Sequence, residues 1–310
     1  MRARLVAVLA AVALGSNLPA PVPSVAGGAA SLAVSRNGEW RVFWRADEAP
    51  ARWAGPDPSL AAALHWRKLA EGAEWTSVRL ACEAPVWRAR LIVARLDPRR
   101  VSLSLEMDLS RADARPAWSI DRAPHDAILA VNAGQFVSTM PWGWVAIDGA
   151  QRLRPGYGPL SSAVAIDRAG RVRWFHGDSL LDATGVAAGF QSYPTLLGGD
   201  GRVPAALRLP GRGVDLRHHD SRLALGETRD GRLLVVMTRF DAMGEGAGGF
   251  PLGPTTPEMA AILGALGASD AVMLDGGISA QLLLRDPSRP KPLRWPGVRK
   301  VPLALIARAR

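Results

Sequence analysis

Short apolar runs broken by tight-turn residues recur along most of this chain, and that punctuation constrains its fold more than any other feature. Ser162-Ala163-Val164-Ala165-Ile166 and Val172-Arg173-Trp174-Phe175-His176 flank Asp167-Arg168-Ala169-Gly170. Arg222-Leu223-Ala224-Leu225-Gly226 and the run Leu233 to Thr238 flank Arg229-Asp230-Gly231. Runs of this length around an Asp-Gly pair predict hairpins, because that pair tolerates the positive φ a tight turn needs. Ala89 to Leu96 and Val101 to Met107 are separated by Asp97-Pro98-Arg99-Arg100 and are expected to pair in the same way. The second of these alternates strictly, so one of its faces should be wet. Ala127 to Val131 reads as a buried strand ending at Asn132-Ala133-Gly134-Gln135-Phe136. Val301 to Ala307 reads as a last strand, which Pro302 places at an edge or causes to begin there. The best helix is Thr256 to Leu266, with Thr256 as N-cap, Pro257 at the first helical position, Glu258 against the dipole and Gly267 as terminator. Many strands and few helices predict an α+β fold of strand-rich mixed sheets, with functional residues at strand ends.

The ends of the chain differ from this pattern. Met1-Arg2-Ala3-Arg4, an apolar stretch from Leu5 to Leu14 and a Pro/Ala/Gly segment to about Ala30 have the order of a secretory signal peptide. Cleavage is expected after Ala20, Ala26 or Ala30. Residues 31–65 carry Pro50, Gly55, Pro56 and Pro58 and read as a linker or wrapping arm, and residues 66–310 as the main domain. No later run has the length of a membrane span. The single cysteine, Cys82, excludes an intramolecular disulfide. An exported chain without disulfides suits a bacterial periplasm or secretion into the bacterial surroundings. The net charge of +10 comes almost entirely from arginine, since Lys68, Lys291 and Lys300 are the only lysines. A positive surface attracts anionic partners such as phosphorylated glycans. No nucleic-acid fold signature accompanies it, so nucleic acid is not an expected partner.

The stretch Asp270 to Gln281 carries the chemistry. An apolar run, Ala271 to Leu274, delivers Asp275 to a strand end, where Gly276 and Gly277 allow a sharp turn or a close approach. Ser279 then stands where a helix could start, ahead of Ala280 to Leu284. Such a platform suits anions or sugars. Two further strand ends pair a polar residue with glycine: Asn132 with Gly134, and Arg222 with Gly226. Arginine offers a planar fork to two phosphate oxygens. Trp142 and Trp144 follow the Asn132 segment and could stack on a sugar ring. Gly244 to Gly249 reads as a loop or lid. No GxSxG, P-loop or GxGxxG opening a helix occurs. His218 and His219 lack a third ligand at metal spacing, so no cofactor is required, and a divalent cation could enter only through that pair.

Together these segments resemble the phosphodiester glycosidase family, the bacterial relatives of the lysosomal uncovering enzyme that removes N-acetylglucosamine from a phosphodiester; members are also described as exopolysaccharide-related proteins. The resemblance runs from about Trp66 to Ala307. Trp66 to Gly72 and Ala94-Arg95-Leu96-Asp97-Pro98 are similar to that family's opening strands. Asn132 to Phe136 is similar to its Asn-Gly-Gly-Phe-Phe segment, Arg222 to Gly226 to its Arg-Thr-Ala-hydrophobic-Gly segment, and Asp275 to Ala280 to its Asp-Gly-Gly-Gly-Ser-Ser/Thr segment. Gln135 replaces an aromatic, Leu223 a threonine, Ile278 a glycine and Ala280 a hydroxyl residue, so the pocket wall has changed more than its polar centre.

The resemblance implies hydrolysis of a sugar-1-phosphodiester at its C–O bond. Ordinary glycosidases use two carboxylates, one to protonate a poor leaving group. A phosphate monoester leaves readily, so one carboxylate and cationic donors on the phosphate suffice. Asp275, Arg222 and Asn132 are the implied catalytic residues, with Asp275 the carboxylate and Arg222 on the phosphate. Gly134, Gly276, Gly277, Ser279, Gln135 and Trp142 are the implied substrate contacts. Asp220, Glu227 and Glu258 are reserve carboxylates. Two other readings fit the same residues: a non-catalytic binding protein for anionic polysaccharide, and a metal-dependent phosphodiesterase.

Overall fold

The computed structural model describes residues 29–83, 86–177, 185–240 and 252–310. The signal-like residues up to 28 and the Gly244–Gly249 loop lie outside the described residues. Three sheets dominate. A nine-stranded sheet runs in the order Thr195–Leu197, Ala268–Leu274, Leu223–Thr228, Leu233–Phe240, Val86–Leu96, Ala73–Glu83, Ser31–Arg36, Glu39–Arg45, with Arg67–Ala70 also on Ala73–Glu83. One five-stranded sheet is ordered Ala150–Leu153, Val145–Ile147, Val186–Ser192, Ser162–Asp167, Val172–His176. The other is ordered Leu293–Trp295, Leu282–Leu284, Ala127–Asn132, Leu303–Ala309, Val101–Met107. The fold is strand-rich with few helices, and the pairings among the described strands are antiparallel rather than mixed.

Period-two alternation explains how the large sheet is buried on both faces. Leu223, Leu225, Leu233, Val235 and Met237 face a core shared with the five-stranded sheets. Ala224, Leu234 and Val236 face a second core containing Met259, Ile262 and Leu263 of the helix Thr256–Ala265. Strands covered on both faces read as continuous apolar runs, as these do. Each large aliphatic side chain so buried stabilises the fold by about 1.5–3 kcal/mol. The helix is buried almost all round, which requires a small residue wherever another element crosses it. At Gly264 a Cβ would lie 2.3 Å from Trp53 Cγ.

Several expectations change. The N-cap of the helix is Thr255, one residue earlier than Thr256: its hydroxyl accepts from the Glu258 N–H at 3.4 Å, and the Glu258 carboxylate accepts from the Thr255 N–H at 2.7 Å. This reciprocal box stabilises the helix start by about 1 kcal/mol. The expected hairpin across Asp97-Pro98 does not form. Val86–Leu96 pairs with Ala73–Glu83 and Leu233–Phe240, while Val101–Met107 crosses to another sheet and pairs with Leu303–Ala309. The turn there changes sheets instead of returning on itself. The hairpins across Asp167–Gly170 and Asp230-Gly231 do form. The last strand lies inside its sheet, beginning just after Pro302, where a missing N–H removes no ladder bond. After Gly276 the chain makes one 3-10 turn, Gly277–Ser279, and then a strand, Leu282–Leu284, where a helix was expected. Residues 31–65 supply the Ser31–Arg36 and Glu39–Arg45 hairpin on the large sheet and the short helix Pro58–Ala63. Among the described residues no helix is long and apolar enough to cross a membrane.

Candidate active site

Register brings the two main polar positions together. Leu223 pairs with Leu274 across neighbouring antiparallel strands, so Arg222, just before one, and Asp275, just after the other, emerge at the same end of the sheet. Glycine lets the two backbones meet there. A Cβ at Gly276 would sit 2.6 Å from the Ser221 carbonyl oxygen, and one at Gly277, whose φ is +54°, would sit 2.6 Å from Asp220 Oδ2. The Gly277 N–H donates to the Ser221 carbonyl at 2.7 Å. Asp220 is thereby pressed against the Asp275 turn.

Asp275 is held from behind. The Arg299 guanidinium donates from Nη2 to Asp275 Oδ2 at 3.4 Å, and from Nε and Nη2 to Ser279 Oγ at 2.9 and 2.7 Å. Its carbon lies 4.5 Å from the centroid of the Phe136 ring. Burial pushes the Asp275 carboxyl above its ordinary value; hydrogen bonding from Ser279 and the charge of Arg299 pull it back, and the charge of Asp220 pushes it further up. Desolvation therefore outweighs the cation, which leaves a carboxylate more basic than an exposed aspartate.

Arg222 is half-buried and stands differently. Its Nε donates to the Pro254 carbonyl at 2.9 Å and its Nη2 to the His218 carbonyl. Its backbone is locked to Thr238, whose hydroxyl accepts from the Arg222 N–H at 2.8 Å. Burial lowers its pKa, opposed by the charges of Asp220, Glu258 and Asp215. Because its anchors are neutral carbonyls, the guanidinium is oriented with no bonded carboxylate among the described residues to neutralise it. Arg222 also lines a cleft of about 640 Å³ whose walls include Trp142, Tyr157, Tyr193, Pro194 and His218.

Asn132 and Ser279 belong to the site's scaffold. The Asn132 Nδ2 donates to the Asp275 carbonyl at 2.8 Å and its Oδ1 accepts from the Gln281 N–H at 2.9 Å. Asn132 and Ser279, expected from the sequence to contact the substrate, are both buried, and the hydrogen bonds described for their side chains run to protein partners. Gly134, at φ +67°, accepts the Asp275 N–H on its carbonyl at 2.9 Å. Gln135 donates from Nε2 to the Tyr193 carbonyl at 3.2 Å, and Trp142 meets the Tyr193 ring edge-on at 4.6 Å.

The reserve carboxylates separate by position. Asp220 belongs to the site. Glu258 is buried in the helix cap, 4.0 Å from His219 Nδ1. Glu227 lies at the far end of its strand, roughly 17 Å from Arg222 at about 3.4 Å per residue, opposite Asp270. His219 donates from Nδ1 to the Gly253 carbonyl at 2.7 Å, and His218 Nε2 lies 3.8 Å from Asp220. Among the described residues no cluster of three His, Cys, Asp or Glu is placed to hold a metal ion. Arg299 was missed by sequence reasoning. It stands in a Pro296-Gly297-Val298 segment of an arginine-rich chain, and only its position before the last strand could have marked it.

Residues 125–308, which contain all three strand-end motifs, match the family model for phosphodiester glycosidase. The chain belongs to the phosphodiester glycosidase family. Its fold is similar to that of the zebrafish N-acetylglucosamine-1-phosphodiester alpha-N-acetylglucosaminidase catalytic domain, auto-inhibited by its pro-peptide, with a TM-score of 0.55 at 17% identity over 79% of this chain and 87% of that one. A hypothetical protein from Synechocystis has a TM-score of 0.48 at 17% identity, covering 91% of this chain and 68% of that one. No curated protein matches the chain. The family that the model describes is one of phosphodiester glycosidases, which are hydrolases.

Proposed function

We propose that this protein hydrolyses a sugar-1-phosphodiester at the C–O bond of the anomeric carbon, and that it does so outside the cytoplasm of a bacterium. The observation that carries the reading is the meeting of Asp275, more basic than an ordinary aspartate, with the carbonyl-anchored Arg222 at one sheet end. Asp275 takes a proton from water, whose oxygen bonds to the anomeric carbon. The C–O bond breaks, and its electron pair leaves with the phosphate monoester. Arg222 holds the phosphate as negative charge gathers on it, an electrostatic contribution of the kind that dominates such reactions. Burial keeps Asp275 basic, and the like charge of Asp220 adds to it. Arg299, Ser279 and Asn132 are positioning residues, because each acts on Asp275 and is directed at protein partners. The signal-like start supports export.

The test is release of free sugar from a panel of sugar-1-phosphodiesters in ¹⁸O-labelled water, wild type beside Asp275→Asn. The expected result is label in the sugar, and a rate lower by about 10²–10⁴ for the variant, the usual contribution of a general base. Label in the phosphate would replace this reading with P–O cleavage. Glycan binding without any release would replace it with a non-catalytic recognition protein.

A further inference from the structure

The cleft beside Arg222 has a composition that the hydrolytic step does not use. Its walls carry Trp142, Tyr157, Leu160, Tyr193 and Pro194, and its cations are Arg212 and Arg222, with the His218 imidazole beside them. The one carboxylate among its described lining residues, Asp215, already accepts the N–H groups of Arg217 and His218 on Oδ1, at 2.9 and 3.2 Å. A sugar needs acceptors and donors for its hydroxyls as well as an apolar face. Besides Asp215, the side-chain acceptors among its described lining residues are hydroxyls and one imidazole, set against a larger aromatic and apolar surface and two guanidinium groups.

The aromatic wall is built rather than incidental. Gln191, buried, donates from Nε2 to the Gly156 carbonyl at 2.9 Å, and its Oε1 accepts from the N–H groups of Gly156 and Trp144 at 2.8 and 3.0 Å. This clamp grips the chain on both sides of the Trp142 ring. A Cβ at Gly156 would lie 2.8 Å from that ring, so glycine lets the chain pass close against it. Tyr193 then packs edge-on at 4.6 Å. Tyr157 stands 86% exposed at the rim of the same cleft. The packed Trp142 and Tyr193 rings, with Tyr157 open at the rim and an arginine at the far end, are complementary to a molecule with an apolar body and an anionic head.

We infer that this cleft is the leaving-group subsite and that it takes an organic phosphate whose far ester carries an apolar group, an alkyl, prenyl or aryl chain, rather than a second sugar. The inference rests on the proposed hydrolysis for its direction: the anomeric carbon lies at Asp275, the phosphate at Arg222, and the apolar group along Trp142, Tyr193 and Tyr157. The product of C–O cleavage would then be a free sugar and an amphipathic phosphate monoester.

Binding tests this apart from turnover. Hexyl phosphate, mannose 6-phosphate and inorganic phosphate are titrated into the full chain by calorimetry, with tryptophan fluorescence as a second readout. The expected order is hexyl phosphate about tenfold or more tighter than either other probe, since only part of a six-carbon chain need be buried to give that ratio. Tyr157→Ser, at an exposed position that the fold does not need, should reduce hexyl phosphate affinity several-fold and leave inorganic phosphate unchanged. Trp142→Ala should remove the preference entirely. Mannose 6-phosphate binding as tightly as hexyl phosphate, or a preference that Tyr157→Ser and Trp142→Ala both leave intact, would overturn the inference. Hexyl preference without hydrolysis of the hexyl diester would leave the subsite standing and remove the proposed reaction. Hydrolysis with no preference between hexyl and methyl diesters would do the reverse.

Discussion

The Asn132 side chain bridges two segments that sequence keeps far apart: it donates to the Asp275 carbonyl at 2.8 Å and accepts the Gln281 N–H at 2.9 Å. One amide thus spans the Gly276-Gly277 turn and sets the distance between its ends. Because Asn132 is buried, water cannot replace either bond.

Asn132→Ala should therefore leave a carbonyl and an N–H unpaired, at about 1–3 kcal/mol each. The expected outcome is a lower midpoint in chemical denaturation together with reduced kcat at nearly unchanged KM. Asn132→Asp can keep only the bond to the Gln281 N–H and should recover part of the stability alone.

The acid limb of kcat/KM should report Asp275. Activity needs the carboxylate, so it is lost as pH falls through a pKa raised by burial, and the limb should lie above that of an exposed aspartate. Asp220→Asn removes a like charge and should move the limb to lower pH. Arg299→Met removes the opposing cation and should move it to higher pH. A limb that stays in place in both variants would dissociate it from Asp275.

Arg222→Met should lower kcat/KM by about 10²–10³, the range found when one charge-stabilising donor is removed. Arg222→Lys should rescue little, since a lysine cannot keep the fork that bonds the Pro254 and His218 carbonyls. Thermal stability measured alongside should change far less than activity in Arg222→Lys.

Glu227 predicts a pH-dependent stability unrelated to catalysis. Its carboxyl is raised to about 7, chiefly by burial, against a hydrogen bond from Trp174 Nε1. The folded state binds the proton more tightly than the unfolded one, so this contribution is complete below the ordinary glutamate pKa and is lost as pH rises through about 7. Melting curves should show Glu227→Gln matching wild type near pH 4.5 and exceeding it near pH 8.

Gly276→Ala should test the close approach of the two strand ends. The added Cβ would meet a backbone oxygen at 2.6 Å, which only a shift of the Asp275 turn or of Ser221 can relieve. A loss of about 1–3 kcal/mol is expected, with activity falling more than that loss of folded protein explains.

Local patterning determined much of this protein. Apolar alternation, Asp-Gly turns and the Thr-Pro-Glu helix start are short-range signals, and they marked many of the longer strands, two hairpins and the helix within a residue. The three strand-end motifs marked Asn132, Arg222 and Asp275 for the same reason, since a polar residue beside glycine after a buried run is visible locally. Tertiary structure decided the rest. Which strands pair across Asp97-Pro98 depends on long-range burial that no turn residue encodes. Whether Leu282–Leu284 is strand or helix was settled by a vacant ladder on Ala127–Asn132. The partnership of Asp275 with Arg299 and Asp220, and the bonds of Asn132 and Ser279 to distant protein groups, follow from how distant segments are brought together. Hydrogen-bond partners 143 residues apart leave no periodic trace in the chain.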